Sequence, residues 1–258
     1  MPRMLAEDMN SHALPTGSFG FSAVKVEKLG ATQYTLVTIV LDESGSVEGF
    51  QNEMENAIWS AVGACQRSPQ AENVLLRVVA FSTTLREIHG FRPLAGLSRA
   101  DYDGSVTPTA ATALHEAIIA AYDATAEYAK QLAAQDYEAN AVLFFVTDGL
   151  NNRPPEKPAS VREGHRRAAK TEALGTITSV LVGVNDQATE THEGQVQKIG
   201  DVLAKLQREA GMTQYVGLPD ASLKTLAKLA QFVSKSISSA SKALTTGGGN
   251  SVPQPVTF

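Results

Sequence analysis

The stretch Thr35-Leu36-Val37-Thr38-Ile39-Val40-Leu41-Asp42-Glu43-Ser44-Gly45-Ser46 decides how this chain is read. Its first seven residues are apolar or β-branched almost without interruption, as expected of a strand covered on both faces. That strand runs straight into D-x-S-x-S. One carboxylate and two hydroxyls on alternate residues of a tight loop can converge on one hard cation. Ser44 and Ser46 point the same way if the loop keeps a near-extended pitch, because they are two residues apart. Gly45 permits the turn between them.

Two further oxygen donors fall in places that fit. Thr112 opens a helical run (Thr112-Ala113-Leu114-His115-Glu116-Ala117-Ile118), and Asp148 ends a second apolar strand, Val142 to Thr147, just before Gly149. Taken singly, Asp42 and Ser46 could cap the following helix, and Asp148-Gly149 could be a turn. Taken together, each at a strand exit or a helix entry, they read as a metal site. An ion of Mg²⁺ size takes about six oxygens and keeps several waters. The oxygen-only donor set therefore predicts Mg²⁺, with Mn²⁺ or Ca²⁺ as substitutes, and not Zn²⁺.

Outward from these motifs, apolar runs alternate with amphipathic ones. Strands are expected at Thr35–Leu41, Val74–Phe81, Ala141–Thr147, Ile177–Val184 and Thr213–Leu218, with Thr84–Ile88 as a short antiparallel edge. Helical spacing joins Phe50, Met54, Ile58, Ala61, Val62 and Cys65. It also joins Leu114, Ile118, Ala121, Tyr122, Thr125 and Tyr128, in a helix reaching about Gln135. Ser160-Val161-Arg162-Glu163 reads as a capping box opening a third helix. Val196, Ile199, Leu203 and Leu206 mark a fourth, and Leu223, Leu226, Ala230, Val233 and Ile237 a fifth. The alternation predicts an α/β fold: a doubly wound, mostly parallel sheet of about six strands, helices on both faces. In such a sheet, ligands bind at the carboxyl ends of the strands, where Asp42 and Asp148 are placed.

Residues 1–32 read as an N-terminal extension, without clear period to Ser18 and then weakly alternating over Phe19 to Lys25, an extra edge strand. Residues 33–237 form the main domain, and 238–258 a Ser-, Gly- and Pro-rich tail. Ser241 to Phe258 lacks the apolar period that would offset the entropy of ordering, so the tail is expected to be disordered.

Composition excludes several classes. The chain of 258 residues can bury a large core without disulfides, and its one cysteine, Cys65, sits in a helical apolar stripe as a free buried thiol. A net charge of −5 with no long basic run argues against nucleic acid as a partner. Met1 to Asn10 has no apolar core of signal-peptide length, and no apolar stretch approaches the ~18 residues that span a bilayer. The sequence is thus expected to be cytoplasmic, with no membrane partner. His12, His89, His115, His165 and His192 are scattered without zinc-ligand spacing, and His115 is expected on the solvated face of its helix. Neither a G-x-S-x-G elbow nor a G-x-x-x-x-G-K-[ST] loop is present, and Ser44 stands where an aspartyl phosphotransferase would carry a second carboxylate. The protein is not expected to be an enzyme. The polar loop Gly149 to Pro158 beside Asp148 reads either as a surface insertion or as a specificity loop.

Strand-D-x-S-x-S, a threonine at the start of a helix and strand-T-D-G together resemble the von Willebrand factor A (vWA) domain and its metal-ion-dependent adhesion site (MIDAS). The resemblance covers about Gln33 to Ile237. It implies that Ser44, Ser46 and Thr112 ligate the ion directly, and that Asp42 and Asp148 act mostly through water. Thr109 is the alternative to Thr112, since Ala110 and Ala111 stand where the family more often has glycine. The chain is similar to stand-alone bacterial vWA proteins, which often work beside AAA+ ATPases or in stress and defence systems. The resemblance implies a metal-dependent protein-interaction module that takes a Glu or Asp of its partner. The alternative is a structural subunit of a larger assembly, with the metal serving stability and the tails docking on neighbours.

Overall fold

The computed structural model describes residues 8–14, 19–45, 49, 51–109, 112–152, 157–192 and 195–245. Residues 1–7, 15–18, 46–48, 50, 110–111, 153–156, 193–194 and 246–258, Ser46 and Phe50 among them, lie outside them. The described residues form ten strands, β1 (Met9–Ala13), β2 (Gly20–Val24), β3 (Gln33–Asp42), β4 (Val74–Phe81), β5 (Leu85–Pro93), β6 (Glu138–Thr147), β7 (Ile177–Val184), β8 (Thr189–His192), β9 (Gln195–Lys198) and β10 (Gln214–Leu218). The α-helices are α1 (Gln51–Gln66), α2 (Leu114–Ala133), α3 (Pro158–Ala169), α4 (Ile199–Ala210) and α5 (Leu223–Thr245).

Eight strands form one sheet in the order β1-β2-β5-β4-β3-β6-β7-β10, and β8 pairs with β9 apart from it. The four pairings from β4 to β10 and the one between β2 and β5 are parallel; β4–β5 and β1–β2 are antiparallel. This is a doubly wound, Rossmann-like α/β fold, as the alternation of apolar and amphipathic runs predicts. The alternation of side chains along β3 explains the two layers of helices. Val37, Ile39 and Leu41 pack with Ile58 and Val62 of α1 and Leu226, Phe232 and Val233 of α5 on one face. Val40 packs with Phe145, Leu114, Ile118 and Tyr122 on the other, under α2, α3 and α4. Val40 and Phe145 are register partners in β3 and β6, and both are fully buried.

The edge differs from expectation. The Leu85–Pro93 strand is antiparallel to β4 but internal, because the N-terminal hairpin of β1 and β2 adds two strands beyond it, giving eight strands rather than six. Gly90 makes the approach of β2 possible, since a Cβ there would lie 2.0 Å from the Ser22 carbonyl oxygen. Glu87 then fastens the hairpin. It accepts the Ser22 amide (3.0 Å) and hydroxyl (2.6 Å) with one oxygen and pairs with the buried Arg77 (2.7 Å) with the other.

Three helix assignments also shift. Ser160 lies inside the first turn of α3, not at its cap: Lys157 is the N-cap and Pro158, which has no N–H to satisfy, opens the helix. Val196 belongs to β9 and is 72% exposed, because Gln195–Lys198 folds back on Thr189–His192 before α4 begins. The last helix continues past Ile237 into the stretch expected as tail. Its small residues allow close packing: Ala240 and Ser241 are buried, and the hydroxyls of Ser241 and Thr35 lie 2.8 Å apart. The expectation for residues 246–258 lies outside the described residues. Cys65 is a free, buried thiol, as its place in the stripe predicts, and burial pushes its pKa up to about 11. Among the described residues, no helix is long and apolar enough to cross a membrane.

Candidate metal centre

The chain leaves β3 to form α1 and β4 on one side of the sheet, and returns to place β6 on the other side of β3. Strand order therefore reverses at β3, and the carboxyl ends of β3 and β6 form the switch-point crevice. Asp42 is the last residue of β3 and Asp148 follows the last residue of β6.

Asp42 is 1% exposed. Its Oδ1 accepts the Ser44 amide (2.8 Å), which folds the D-x-S segment back on itself, and its Oδ2 accepts the Thr147 hydroxyl (2.5 Å). Apolar side chains lie beneath: Met54, Val146, Val184, Ala221 and Leu226 line a small cavity that reaches Asp42, Thr147 and Asp148. Burial raises the Asp42 pKa to about 6. The hydrogen bonds from Thr147 and Ser44 oppose that rise, and the neighbouring Asp148 carboxylate adds to it. What acts on Asp42 is thus a set of neutral donors and a second carboxylate.

Ser44 is buried, and its backbone bridges to Thr109. The Thr109 side chain is exposed, whereas Thr112 is buried with its hydroxyl directed at the β6 exit: Thr112 Oγ1 lies 3.7 Å from the point where a Gly149 Cβ would stand. The structure therefore brings Asp42, Ser44, Thr112 and Asp148 to one crevice. Ser46 lies outside the described residues. These donors are recessed rather than carried on exposed loop tips. His115 is buried as well, at 8% exposure, instead of solvated.

The supporting residues escape motif reading. Asn152 accepts the Thr112 amide with its side chain (2.9 Å) and donates its own amide to the Thr112 carbonyl (3.1 Å), while Asn151 accepts the His115 amide (3.2 Å). The beginning of the Gly149–Pro158 loop thereby fixes the threonine segment. Glu43, also buried, pairs with Arg86 (2.6 Å) and accepts the Thr107 amide (3.1 Å). Glu55, reaching from α1, accepts the amides of Gly104 and Val106, each at 3.0 Å. The signal that could have found Glu43 and Glu55 is an acidic residue at a position otherwise destined for burial: such a carboxylate needs several donors. Among the described residues no group of three or more His, Cys, Asp or Glu is arranged to hold a metal.

No family model matches this chain, and no curated protein matches it. Similar solved structures include the PilB minor pilin from Streptococcus sanguinis, at a TM-score of 0.52 and 15% identity over 81% of this chain and 62% of the pilin. The pilus adhesin SpaC from Lactobacillus rhamnosus GG is also similar, at a TM-score of 0.60 and 11% identity over 90% of this chain and 35% of the adhesin. The chain spans less than two thirds of the length of either. At these identities the likeness is one of fold.

Proposed function

We propose that this chain is a vWA-type interaction domain that holds Mg²⁺, or Mn²⁺ or Ca²⁺ in its place, and binds an acidic side chain of a protein partner through that ion. The observation that carries the reading is the pairing of buried Asp42 with half-buried Asp148 at the switch point, with hydroxyls of Ser44 and Thr112 at the same crevice. Two carboxylates over an apolar cavity favour a cation. Hydroxyls as the direct ligands leave that cation under-neutralised, and so receptive to a further carboxylate. Ser44, Ser46 and Thr112 would be the direct ligands, and Asp42 and Asp148 would act through water. The exposure of Thr109 supports Thr112 in that role. The ion would supply a Lewis-acidic contact point, and the protein residues would fix its position. The reading treats the chain as a binding module and not an enzyme, working in the cytoplasm; an AAA+ ATPase or a stress or defence component is the partner class carried by the family resemblance. The assembly-subunit alternative keeps less of its free tail, since α5 runs on to Thr245.

Calorimetric titration with Mg²⁺ and Mn²⁺ tests the site, and capture of partners in Mg²⁺ against EDTA tests the role. One binding event that is lost in Ser44→Ala supports the reading. No binding of either ion at millimolar levels overturns it.

A further inference from the structure

The β8–β9 hairpin does not belong to the main sheet, yet it reaches the crevice. Its strands pair with each other, Thr189 opposite Lys198 through His192 opposite Gln195, and β9 passes directly into α4. From β8 it sends Glu190 back to the exit of β6. Glu190 Oε2 accepts the Leu150 amide at 3.0 Å and lies 3.9 Å from the point where a Gly149 Cβ would stand. The Thr112 hydroxyl lies 3.7 Å from that same point. A carboxylate oxygen and a candidate ligand oxygen thus share the side-chain face of Gly149, next to Asp148, and glycine is the residue that leaves the space between them open.

We infer that Glu190 is a ligand of the crevice metal, supplied in cis: its carboxylate takes the coordination position that an acidic side chain of a partner would take. The inference rests on the proposed metal-binding function and deepens it, because it makes the hairpin a built-in competitor of the partner. The chemistry favours the exchange. Glu190 is half-buried and accepts from one neutral amide. An ion held by hydroxyls at the crevice would offer it a far stronger electrostatic partner. The hairpin pairs with itself and not with the main sheet, so a shift of Glu190 toward the ion would break no ladder of that sheet. The partner would then have to displace Glu190, so the affinity seen in a binding assay would be reduced by the fraction of molecules in which the hairpin is closed.

The test uses Mn²⁺ as the probe, on the whole chain. Glu190→Gln keeps an oxygen to accept the Leu150 amide and removes the charge. Water-proton relaxation counts the exchangeable waters on bound Mn²⁺, and calorimetry gives its affinity. The expected result is a Mn²⁺ affinity about tenfold weaker in Glu190→Gln, with one more water on the ion. Acetate should then displace that water in the variant at lower concentration than it displaces any water in wild type. Amides of β8 and β9 should gain hydrogen-exchange protection on metal addition in wild type and not in the variant. If wild type binds Mn²⁺ and Ser44→Ala abolishes binding, while Glu190→Gln changes neither affinity nor water count, the inference is overturned and the metal site stands. A weaker affinity with an unchanged water count also overturns it, since Glu190 would then only brace the loop. If wild type binds no Mn²⁺, the metal site falls and this inference with it.

Discussion

The Thr147 hydroxyl lies 2.5 Å from Asp42 Oδ2 and so joins the ends of β6 and β3 across 105 residues of sequence. The same hydroxyl oxygen accepts the Gly149 amide at 3.2 Å. One threonine therefore aligns the carboxylate of the first motif with the turn that carries the second. Because the strand ends are adjacent in the sheet, this costs no long loop.

The buried Asp42 sets the first prediction. Its folded pKa of about 6 lies above the ordinary value of 3.8, so the folded chain holds this proton more tightly than the unfolded chain does. The stability it contributes is present below about pH 4 and is lost as pH rises through 6, by roughly 3 kcal/mol in the absence of metal. Thermal melts in EDTA should show wild-type stability falling across that window, on top of the other titrations, and Asp42→Asn should flatten the fall. At pH 7 the variant should melt at or above wild type. Parallel profiles for the two proteins would mean that Asp42 is not the group responsible.

Phe145 tests the central layer. It is fully buried beneath α2, with its ring 5.6 Å from that of Tyr122. Truncation to alanine removes a whole aromatic side chain from a site that two helices hold open. The expected loss is about 3–5 kcal/mol in denaturant melts. A loss under about 1 kcal/mol would contradict the packing described.

Glu55 tests the loop behind the crevice. The carboxylate satisfies two amides of the segment that leads to Thr109, whose backbone bridges to Ser44. Glu55→Ala leaves both amides without their acceptor and should cost about 2–4 kcal/mol. Glu55→Gln keeps one acceptor and should cost less than half of that. Since the loop abuts Ser44, Mn²⁺ affinity should fall in Glu55→Ala as well, although the residue is not a ligand. Unchanged metal affinity in a folded Glu55→Ala protein would separate loop order from the site.

Much of the fold is legible in the sequence where burial is complete. Val74–Phe81 and Ile177–Val184 coincide with their strands residue for residue, because a strand covered on both faces is mostly apolar and so announces its length, even where β4 buries Arg77 against Glu87 and β7 buries Thr178 and Ser179. The exceptions share a different cause. Met9–Ala13 and Thr189–His192 carry polar residues in both alternating sets of positions, and their partners, not their composition, make them strands. The Ser- and Ala-rich end of α5 carries little hydrophobic period; it is helical because small side chains fit against Thr35 and Asn140. At the crevice, Asp42, Ser44, Thr112 and Asp148 are legible since each falls at an element boundary that the apolar runs define. Glu190 is not, because its contact with Leu150 spans 40 residues and depends on a hairpin that no pattern marks.

The last prediction separates function from fold. Burial of Asp42 and its electrostatic coupling to Asp148 mean that the metal-free crevice holds two carboxylates in a medium that screens them poorly. Asp148→Asn removes that repulsion and keeps a side chain of the same shape. The variant should therefore melt in EDTA at or above the wild-type temperature. The same change takes a negative charge from the surroundings of the ion, so metal-dependent capture of a partner should weaken at least tenfold, about 1.4 kcal/mol. A thermal melt in EDTA, run beside a binding assay in Mg²⁺, reads both quantities on one preparation. A variant that melts lower yet captures its partner normally at reduced temperature would assign Asp148 a structural role, and the adhesion-type reading of the crevice would fail.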